Sequence, residues 1–174
     1  MTLHVHLGHG ASGTAATMRP WVEGLRLRGY AADAIDLPRR RAEAAVAALQ
    51  AAVPARADVV LGGHSYGGRV ASLAAAEPGA PYAALVLLSY PLHRPGGPEG
   101  WDARTEHWPA IRCPVLLLSG ESDPFARLEL LRGALSRLRR AELHTYPRLG
   151  HTLRPVLDDA LDRIARFLEH VPAG

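Results

Sequence analysis

The segment Val59-Val60-Leu61-Gly62-Gly63-His64-Ser65-Tyr66-Gly67-Gly68 decides the fold of this chain. Its first part is an apolar run typical of a buried strand, and the alanine-rich residues from Arg69 to Ala76 favour a helix. Between them, residues 63–67 match G-x-S-x-G, the motif of a sharp strand-to-helix turn that exposes a serine hydroxyl. The glycines suit this turn because a Cβ atom there would collide with a neighbouring strand or helix. We therefore interpret Ser65 as a nucleophile at the start of a helix.

Two later polar residues have the types and the order that such a serine needs. Asp123 follows the apolar run 114–118, and His151 follows the alternating segment 143–146. Both therefore lie at the C-terminal ends of predicted strands, where the loops of an open parallel sheet converge on an active site. A serine hydroxyl needs an imidazole to take its proton and a carboxylate to orient that imidazole and stabilise its charged form. We predict a catalytic triad of Ser65, His151 and Asp123.

Each partner, taken alone, also has an ordinary structural explanation. Asp123 could cap a helix, and His151 could be a simple loop residue. Asp123 is preferred because it follows the fifth strand at a turn into a helix expected to begin at Pro124. The other carboxylates near loops or helix starts are Glu121, Asp158 and Asp159.

A second glycine-rich loop, residues 8–13, follows the first predicted strand. In enzymes with G-x-S-x-G, a His-Gly loop at this place supplies one oxyanion donor, and the residue after the nucleophile supplies the other. We assign the backbone N–H groups of Tyr66 and Ala11 to an oxyanion hole, with Ser12 as the next candidate and as a substrate-binding residue. A phosphate loop is disfavoured because the spacing matches neither G-x-G-x-x-G nor the P-loop, and no lysine follows.

The length of 174 residues and the 48% hydrophobic composition suit one domain over residues 1–174. The net charge is +3, all positive charge is arginine, and acidic residues are interspersed, so we expect no nucleic-acid partner. The absence of lysine excludes a Schiff-base, pyridoxal-phosphate or P-loop lysine, and we expect no cofactor.

The single cysteine, Cys113, excludes an internal disulfide, and the N-terminal residues lead directly into the first predicted strand. No apolar stretch approaches the length of a membrane span. We therefore expect a cytoplasmic protein with a small-molecule substrate and no membrane partner. The sequence leaves the oligomeric state open.

Hydrophobic periodicity predicts an α/β fold. Runs such as residues 84–88 are apolar throughout, which indicates a parallel sheet covered by helices on both faces, and right-handed crossovers then give a doubly wound arrangement. We predict strands near residues 3–7, 31–35, 57–62, 83–89, 114–119 and 141–146, and helices near 15–28, 40–52, 66–76, 124–139 and 155–169.

The irregular stretch Pro91–Pro109 follows the fourth predicted strand on the same edge as the triad, so we expect it to govern specificity. His93, Trp101 and Trp108 in this stretch are candidate substrate-binding residues. The alternative is that the two tryptophans only fasten a long loop to the core.

Three histidines in the first strand and its loop raise the question of a metal site. His4 and His6 are two residues apart and so face the same way on a strand, and His9 follows them. A metal site is disfavoured because no carboxylate or cysteine accompanies them, and His9 belongs to the predicted oxyanion loop. We expect no metal.

The motifs together resemble the α/β-hydrolase superfamily, and the resemblance covers essentially the whole chain. Within it the chain is most similar to the small dienelactone-hydrolase-like branch of predicted serine hydrolases, in which a strand ending like residues 89–93 runs into a Pro/Gly loop and then a segment like Arg104–His107. The resemblance implies a minimal α/β-hydrolase fold, a roughly six-stranded parallel sheet with no cap domain. Dienelactone hydrolases proper use a cysteine nucleophile, whereas this chain has Ser65.

These observations predict a serine hydrolase that cleaves a small ester, thioester or lactone through an acyl-enzyme on Ser65. Release of the acyl group to peroxide or to another nucleophile remains open at this stage, as does peptidase activity. The alternative is a hydrolase-like fold kept as a binding or scaffold module, as the resemblance to a eukaryotic branch in chromatin-regulating assemblies implies.

Overall fold

A computed structural model describes residues 2–172 and contains six strands, which lie where the sequence predicts them. They are β1 His4–Gly8, β2 Ala31–Ile35, β3 Val59–His64, β4 Ala84–Leu88, β5 Val115–Gly120 and β6 Ala141–Tyr146. The strands form one parallel sheet in the order β2-β1-β3-β4-β5-β6. The order reverses between β1 and β3, and a parallel α/β sheet opens its ligand crevice at such a point.

Helices cover both faces of the sheet, as the apolar strands predict. They are α1 Arg19–Leu27, α2 Ala42–Ala52, α3 Tyr66–Ala75, α4 Trp101–Thr105, α5 Leu128–Ala134 and α6 Leu157–Glu169. In β4 the side chains alternate between two hydrophobic clusters: Leu85 and Leu87 pack with α2, α3 and α5, whereas Val86 and Leu88 pack with α1 and α6. The six-stranded parallel sheet with helices on both faces that the resemblance implies is therefore confirmed.

Two segments differ from the sequence-based expectation. The stretch 91–109 is not wholly irregular, because it contains α4. This five-residue helix depends on tertiary contacts: Arg137 donates hydrogen bonds to the carbonyl of Asp102 and the hydroxyl of Thr105, and its guanidinium lies 4.5 Å from the centroid of the Trp101 ring. A helix this short is unstable on its own, so its sequence pattern alone could not reveal it.

The second difference is the start of α5, which begins at Leu128 and not at Pro124. The preceding backbone is held in a loop by side chains. The Asp123 carboxylate accepts a hydrogen bond from the N–H of Phe125, and Nε2 of His93 accepts one from the N–H of Arg127. These bonds replace the backbone pattern of a helix, so the predicted helix is shortened at its N-terminal end.

Within residues 2–172, no helix combines the length and the apolar character that crossing a membrane requires.

Candidate active site

Ser65 lies in a tight turn between β3 and α3, with backbone angles of φ 50° and ψ −113° that a non-glycine residue rarely adopts. Its N–H donates to the carbonyl of Leu88, which ties the turn to β4. A Cβ atom at Gly67 would lie 2.3 Å from the carbonyl oxygen of Gly8, and a Cβ atom at Gly63 would lie 2.5 Å from the same oxygen. The glycines of the motif thus allow the end of β1 to pack directly against the start of α3.

A chain of hydrogen bonds joins the serine to a buried carboxylate. Oγ of Ser65 lies 2.9 Å from Nε2 of His151, and Nδ1 of His151 lies 2.8 Å from Oδ2 of Asp123. The Asp123 side chain has no solvent exposure, and its other oxygen accepts the N–H of Phe125. In the tautomer with the proton on Nδ1, the ring donates to the carboxylate and accepts from the serine hydroxyl. This arrangement can remove the serine proton during attack on a carbonyl carbon.

The other candidate carboxylates have different partners. Glu121 is exposed and accepts a hydrogen bond from the hydroxyl of Thr145. Asp159 accepts from the hydroxyl of Tyr146, and Arg163 lowers the pKa of this carboxyl through a hydrogen bond. The Asp158 side chain is 95% exposed. Of the four carboxylates considered, Asp123 is the one that contacts His151.

Close backbone packing brings the loops of Asp123 and His151 together. A Cβ atom at Gly120 would lie 2.2 Å from the carbonyl oxygen of Leu149, and the N–H of Ser122 donates to that oxygen over 2.9 Å. Gly120 ends β5 opposite the end of β6, so the two loops leave adjacent strands in contact. Gly120 could not be predicted as a positioning residue, because one glycine at a strand end carries no signal of what packs against it.

Two further side chains surround the His151 ring. His64 donates a hydrogen bond from Nε2 to the backbone carbonyl of His151 over 3.0 Å, and burial lowers the pKa of His64. The Phe125 ring lies 4.4 Å from the His151 ring, measured between centroids. His64 holds the loop and Phe125 covers the imidazole. Neither role could be predicted from G-x-S-x-G, because the residue before the serine is unspecified and Phe125 lies outside the motif.

Ser65 opens into a cleft of about 810 Å³. One wall comes from residues 94–104 and another from the start of α2. The charged side chains that line it are Arg40, Arg41, Arg69, Arg94, Arg104, Glu43 and Glu99. Burial lowers the pKa of Arg104, and so do the neighbouring charges of Arg69 and Arg94. With five arginines and two glutamates, the cleft has a positive potential.

The sequence matches a model of the alpha/beta hydrolase domain over residues 27–169. The chain belongs to this family. No curated protein matches the sequence significantly. The resemblance predicted from the motifs is therefore confirmed at the level of the α/β-hydrolase family.

Solved structures of hydrolases share this fold at low sequence identity. A monoacylglycerol lipase from Paleococcus ferrophilus superposes with a TM-score of 0.82 at 15% identity, over 96% of this chain and 95% of the lipase. Est1E from Butyrivibrio proteoclasticus, solved with ferulic acid, gives 0.80 at 17% identity over 98% and 89%. A dienelactone hydrolase from Anabaena variabilis gives 0.72 at 22% identity over 98% and 87%.

In this α/β-hydrolase-family protein, the proposed oxyanion donors lie at the mouth of the cleft. Ala11 and Tyr66 line the cleft together with Ser65, whereas Ser12 is exposed and is not among the lining residues. His9 fixes the Ala11 loop: Nδ1 donates to the carbonyl of Gly10 over 2.7 Å, and Nε2 accepts the N–H of Leu37 over 2.9 Å. The prediction that His9 belongs to this loop did not include a role for its ring, which holds the loop through these two hydrogen bonds.

The side chains nominated for substrate binding in the stretch 91–109 do not line the cleft. Both ring nitrogens of His93 are engaged, one with the carbonyl of Arg94 and the other with the N–H of Arg127. Trp108 is fully buried, and Trp101 packs under the Arg137 guanidinium. Large rings gain more from core burial than from exposure at an open cleft, so these residues fasten the loop instead.

Proposed function

We propose that this protein is a serine hydrolase that cleaves a small ester, thioester or lactone through an acyl-enzyme on Ser65. The observation that carries the proposal is the unbroken hydrogen-bonded chain from Ser65 through His151 to the buried Asp123 at the mouth of a cleft. Membership of the α/β-hydrolase family and structural likeness to esterases and lipases support it.

In the proposed mechanism, Oγ of Ser65 attacks the substrate carbonyl while its proton passes to Nε2 of His151. Asp123 stabilises the imidazolium, and the N–H groups of Tyr66 and Ala11 donate to the oxyanion. His151 then returns the proton to the departing alkoxide or thiolate, which leaves the acyl group on Ser65. A water molecule, deprotonated by His151, attacks the acyl carbon and releases a carboxylic acid and the free serine.

The cleft favours substrates with a negative charge. Its arginines outnumber its glutamates. Burial lowers the pKa of Arg104, and repulsion from the nearby charges of Arg69 and Arg94 lowers it further. A carboxylate on the acyl or alcohol group would relieve this repulsion. The segment 91–109 is too short for a cap domain, so short acyl groups should fit the open cleft better than long chains.

The alternative function is a binding or scaffold module that keeps the fold without catalysis. Such a module has no need of the strained backbone at Ser65, which costs on the order of 1–3 kcal/mol. It also has no need of a carboxylate buried behind a histidine, since a buried charge is costly unless it is paired. Both features favour the enzyme.

Labelling with a fluorophosphonate tests the proposal. We expect one label per chain on Ser65 and none in Ser65→Ala. Ser12→Ala and Ser122→Ala each remove an exposed serine and are the matched controls, which should still be labelled. Hydrolysis of nitrophenyl acetate should fall by about 10³-fold or more in Ser65→Ala, which keeps the wild-type Tm. Labelling that persists in Ser65→Ala would overturn the assignment. A folded wild type that neither labels nor hydrolyses esters would favour the scaffold function.

A further inference from the structure

A cluster of three metal-ligating side chains lies on β1 and β2, away from Ser65. His4 and His6 project from the same face of β1 because they are two residues apart. Asp33 of β2 pairs with His6 in the sheet register, so its carboxylate lies on the same face. A metal site was not expected, because no carboxylate lies near these histidines along the chain. The pairing of β1 with β2 brings Asp33 beside them, 27 residues after His6 in the chain, and this pairing cannot be derived from the local sequence.

The three side chains are close enough to share one ion. Nε2 of His4 lies 2.6 Å from Oδ2 of Asp33, and the rings of His4 and His6 stack with centroids 4.1 Å apart. One ligand atom from each side chain lies within 4.8 Å of the others. Tetrahedral ligands at 2.0–2.1 Å from Zn²⁺ are separated by about 3.3 Å, so side-chain rotations of the half-exposed His4 and Asp33 can close the set.

His6 lacks the hydrogen bonds that its burial demands. The residue is 7% exposed, and its Nε2 has no hydrogen-bond partner among residues 2–172. A buried polar atom without a partner costs roughly 1–3 kcal/mol, which calls for a physical explanation. In its neutral form the ring can present an unprotonated Nε2, whose lone pair is free to bind a metal ion.

A neighbouring arginine orients the carboxylate. Arg26, near the end of α1, donates from Nη2 to Oδ1 of Asp33 over 2.9 Å and from Nε to the carbonyl of Ala32 over 2.9 Å. This leaves Oδ2 turned towards His4. Hydrogen bonds of this kind commonly fix metal-ligating carboxylates.

We propose that His4, His6 and Asp33 form a binding site for a divalent transition metal ion, with Zn²⁺ as the best match. Two imidazoles and one carboxylate are a common zinc ligand set, and imidazole also suits Cu²⁺ and Ni²⁺. The His4 and Asp33 side chains are 37% and 49% exposed, so the ion can enter from solvent and keep water in its fourth position.

The ion would stabilise the sheet and take no part in the chemistry at Ser65. His4 begins β1, whereas Gly8, which packs against α3, ends it, and four residues of strand span roughly 13 Å. A bound ion would join β1 to the edge strand β2. We therefore expect metal to raise the stability of the fold and chelators to leave ester hydrolysis unchanged, so the site stands or falls independently of the proposed function.

Calorimetric titration of the chelator-treated chain with Zn²⁺ tests the site. We expect one Zn²⁺ per chain, a Tm that rises with the logarithm of free Zn²⁺, and visible absorption bands of tetrahedral Co²⁺ when Co²⁺ replaces it. His4→Ala and Asp33→Asn should each weaken binding at least about tenfold. Both residues are partly exposed, so these variants should fold. The matched control is His170→Ala, which removes an exposed histidine at the end of α6.

Two results would overturn the proposal. One is the absence of saturable binding by the wild type at free Zn²⁺ well above the protein concentration. The other is unchanged affinity in the double variant His4→Ala, Asp33→Asn, because the ion would then be bound elsewhere, for example by His151 and Asp123. Inhibition of ester hydrolysis by Zn²⁺ that persists in this double variant would identify that second location.

Discussion

The cleft beside Ser65 has two sides that are built in different ways. On one side, which we call the locked side, lie the turns that carry Ser65, Asp123 and His151. There the backbone of Gly8 touches those of Gly63 and Gly67, the backbone of Gly120 touches that of residues 149–150, and these contacts leave no room for a Cβ atom. On the other, the arginine side, residues 91–109 are held by side chains, as when Tyr90 donates to the carbonyl of Arg104 and Arg104 to that of Pro91. The locked side restricts residue type, whereas an exposed side chain of the arginine side, such as Arg94, can change its charge while the loop keeps its shape.

The largest expected effect concerns the carboxylate of the locked side. Asp123→Asn should reduce ester turnover by about 10³–10⁴-fold, because the amide can still accept the N–H of Phe125 but no longer stabilises the imidazolium. Asp158→Asn is the matched control. It should change the rate by less than about twofold, because Asp158 is 95% exposed and its ion pair with Arg28, over 3.6 Å, is a weak surface pair. Steady-state kinetics of the purified variants measure both effects, and the opposite ranking would place the acid in α6.

The next effect is on folding. Gly67→Ala should lower the free energy of unfolding by about 3 kcal/mol or more, because the new Cβ atom would lie 2.3 Å from the backbone of Gly8. Gly133→Ala is the control: it lies within α5 with no atom within 4 Å of the added Cβ, and should stabilise by about 0.5–1 kcal/mol. Urea unfolding compares the two. Equal stability of the variants would contradict the close backbone packing of the locked side.

A smaller effect is the loss of folding stability at low pH that His107, on the arginine side, should cause. Burial, aided by the charge of Arg69, lowers the pKa of His107 to about 4, from 6.5 in the unfolded chain. The unfolded chain therefore binds a proton between these values that the folded protein does not. Stability is fully present above about pH 6.5 and is lost as the pH falls towards 4.

The full difference in pKa would correspond to about 3 kcal/mol, and solvent around this half-buried ring reduces the expected loss to about 1–2 kcal/mol. In the folded protein Nε2 of His107 lies 2.8 Å from the hydroxyl of Ser72, so His107→Gln keeps a polar partner there. Urea unfolding at about pH 7 and about pH 4.5 should show a shallower loss in His107→Gln than in the wild type. An unchanged slope would mean that other buried histidines, such as His6 and His64, carry the dependence.

The smallest effect concerns substrate charge. Arg94→Gln should lower the preference for a nitrophenyl ester of succinate over the acetate by up to about tenfold in kcat/KM, because Arg94 is an exposed lining residue of the cleft. Added salt should reduce the same preference in the wild type. Arg132→Gln, an exposed arginine of α5 outside the cleft, should leave the ratio unchanged. An equal preference in wild type and Arg94→Gln would show that the arginine side does not select for charge.

The sequence predicted the features that depend on local backbone constraints. The six strands could be placed because their apolar runs require cover on both faces, as in β4. The locations of Ser65, Asp123 and His151 could be predicted because each follows a strand, and parallel strands deliver their C-terminal ends to one edge. Sequence order and strand periodicity were sufficient for this part.

Features that depend on contacts between distant segments could not be predicted. Arg137 stabilises α4 from the turn that follows α5, and Asp33 reaches His4 only through the pairing of β1 and β2. His93 and Trp108 were nominated for ligand contact by their residue type. Their burial depends on the path of residues 91–109 across the core, which no local pattern specifies.

Four histidines that bond to the loops near Ser65 or to Ser65 itself have a consequence for mutagenesis. His9, His64 and His93 each bond to the backbone of a loop, and only His151 reaches the serine hydroxyl. An alanine scan would therefore report loss of activity at all four positions, three of them through displaced loops. Inactivity of a histidine variant is thus a poor criterion for a role in proton transfer in this protein. Restoring loop order by a side chain that keeps the same hydrogen bond, such as glutamine, would separate the proposed general base from the three histidines that support loops.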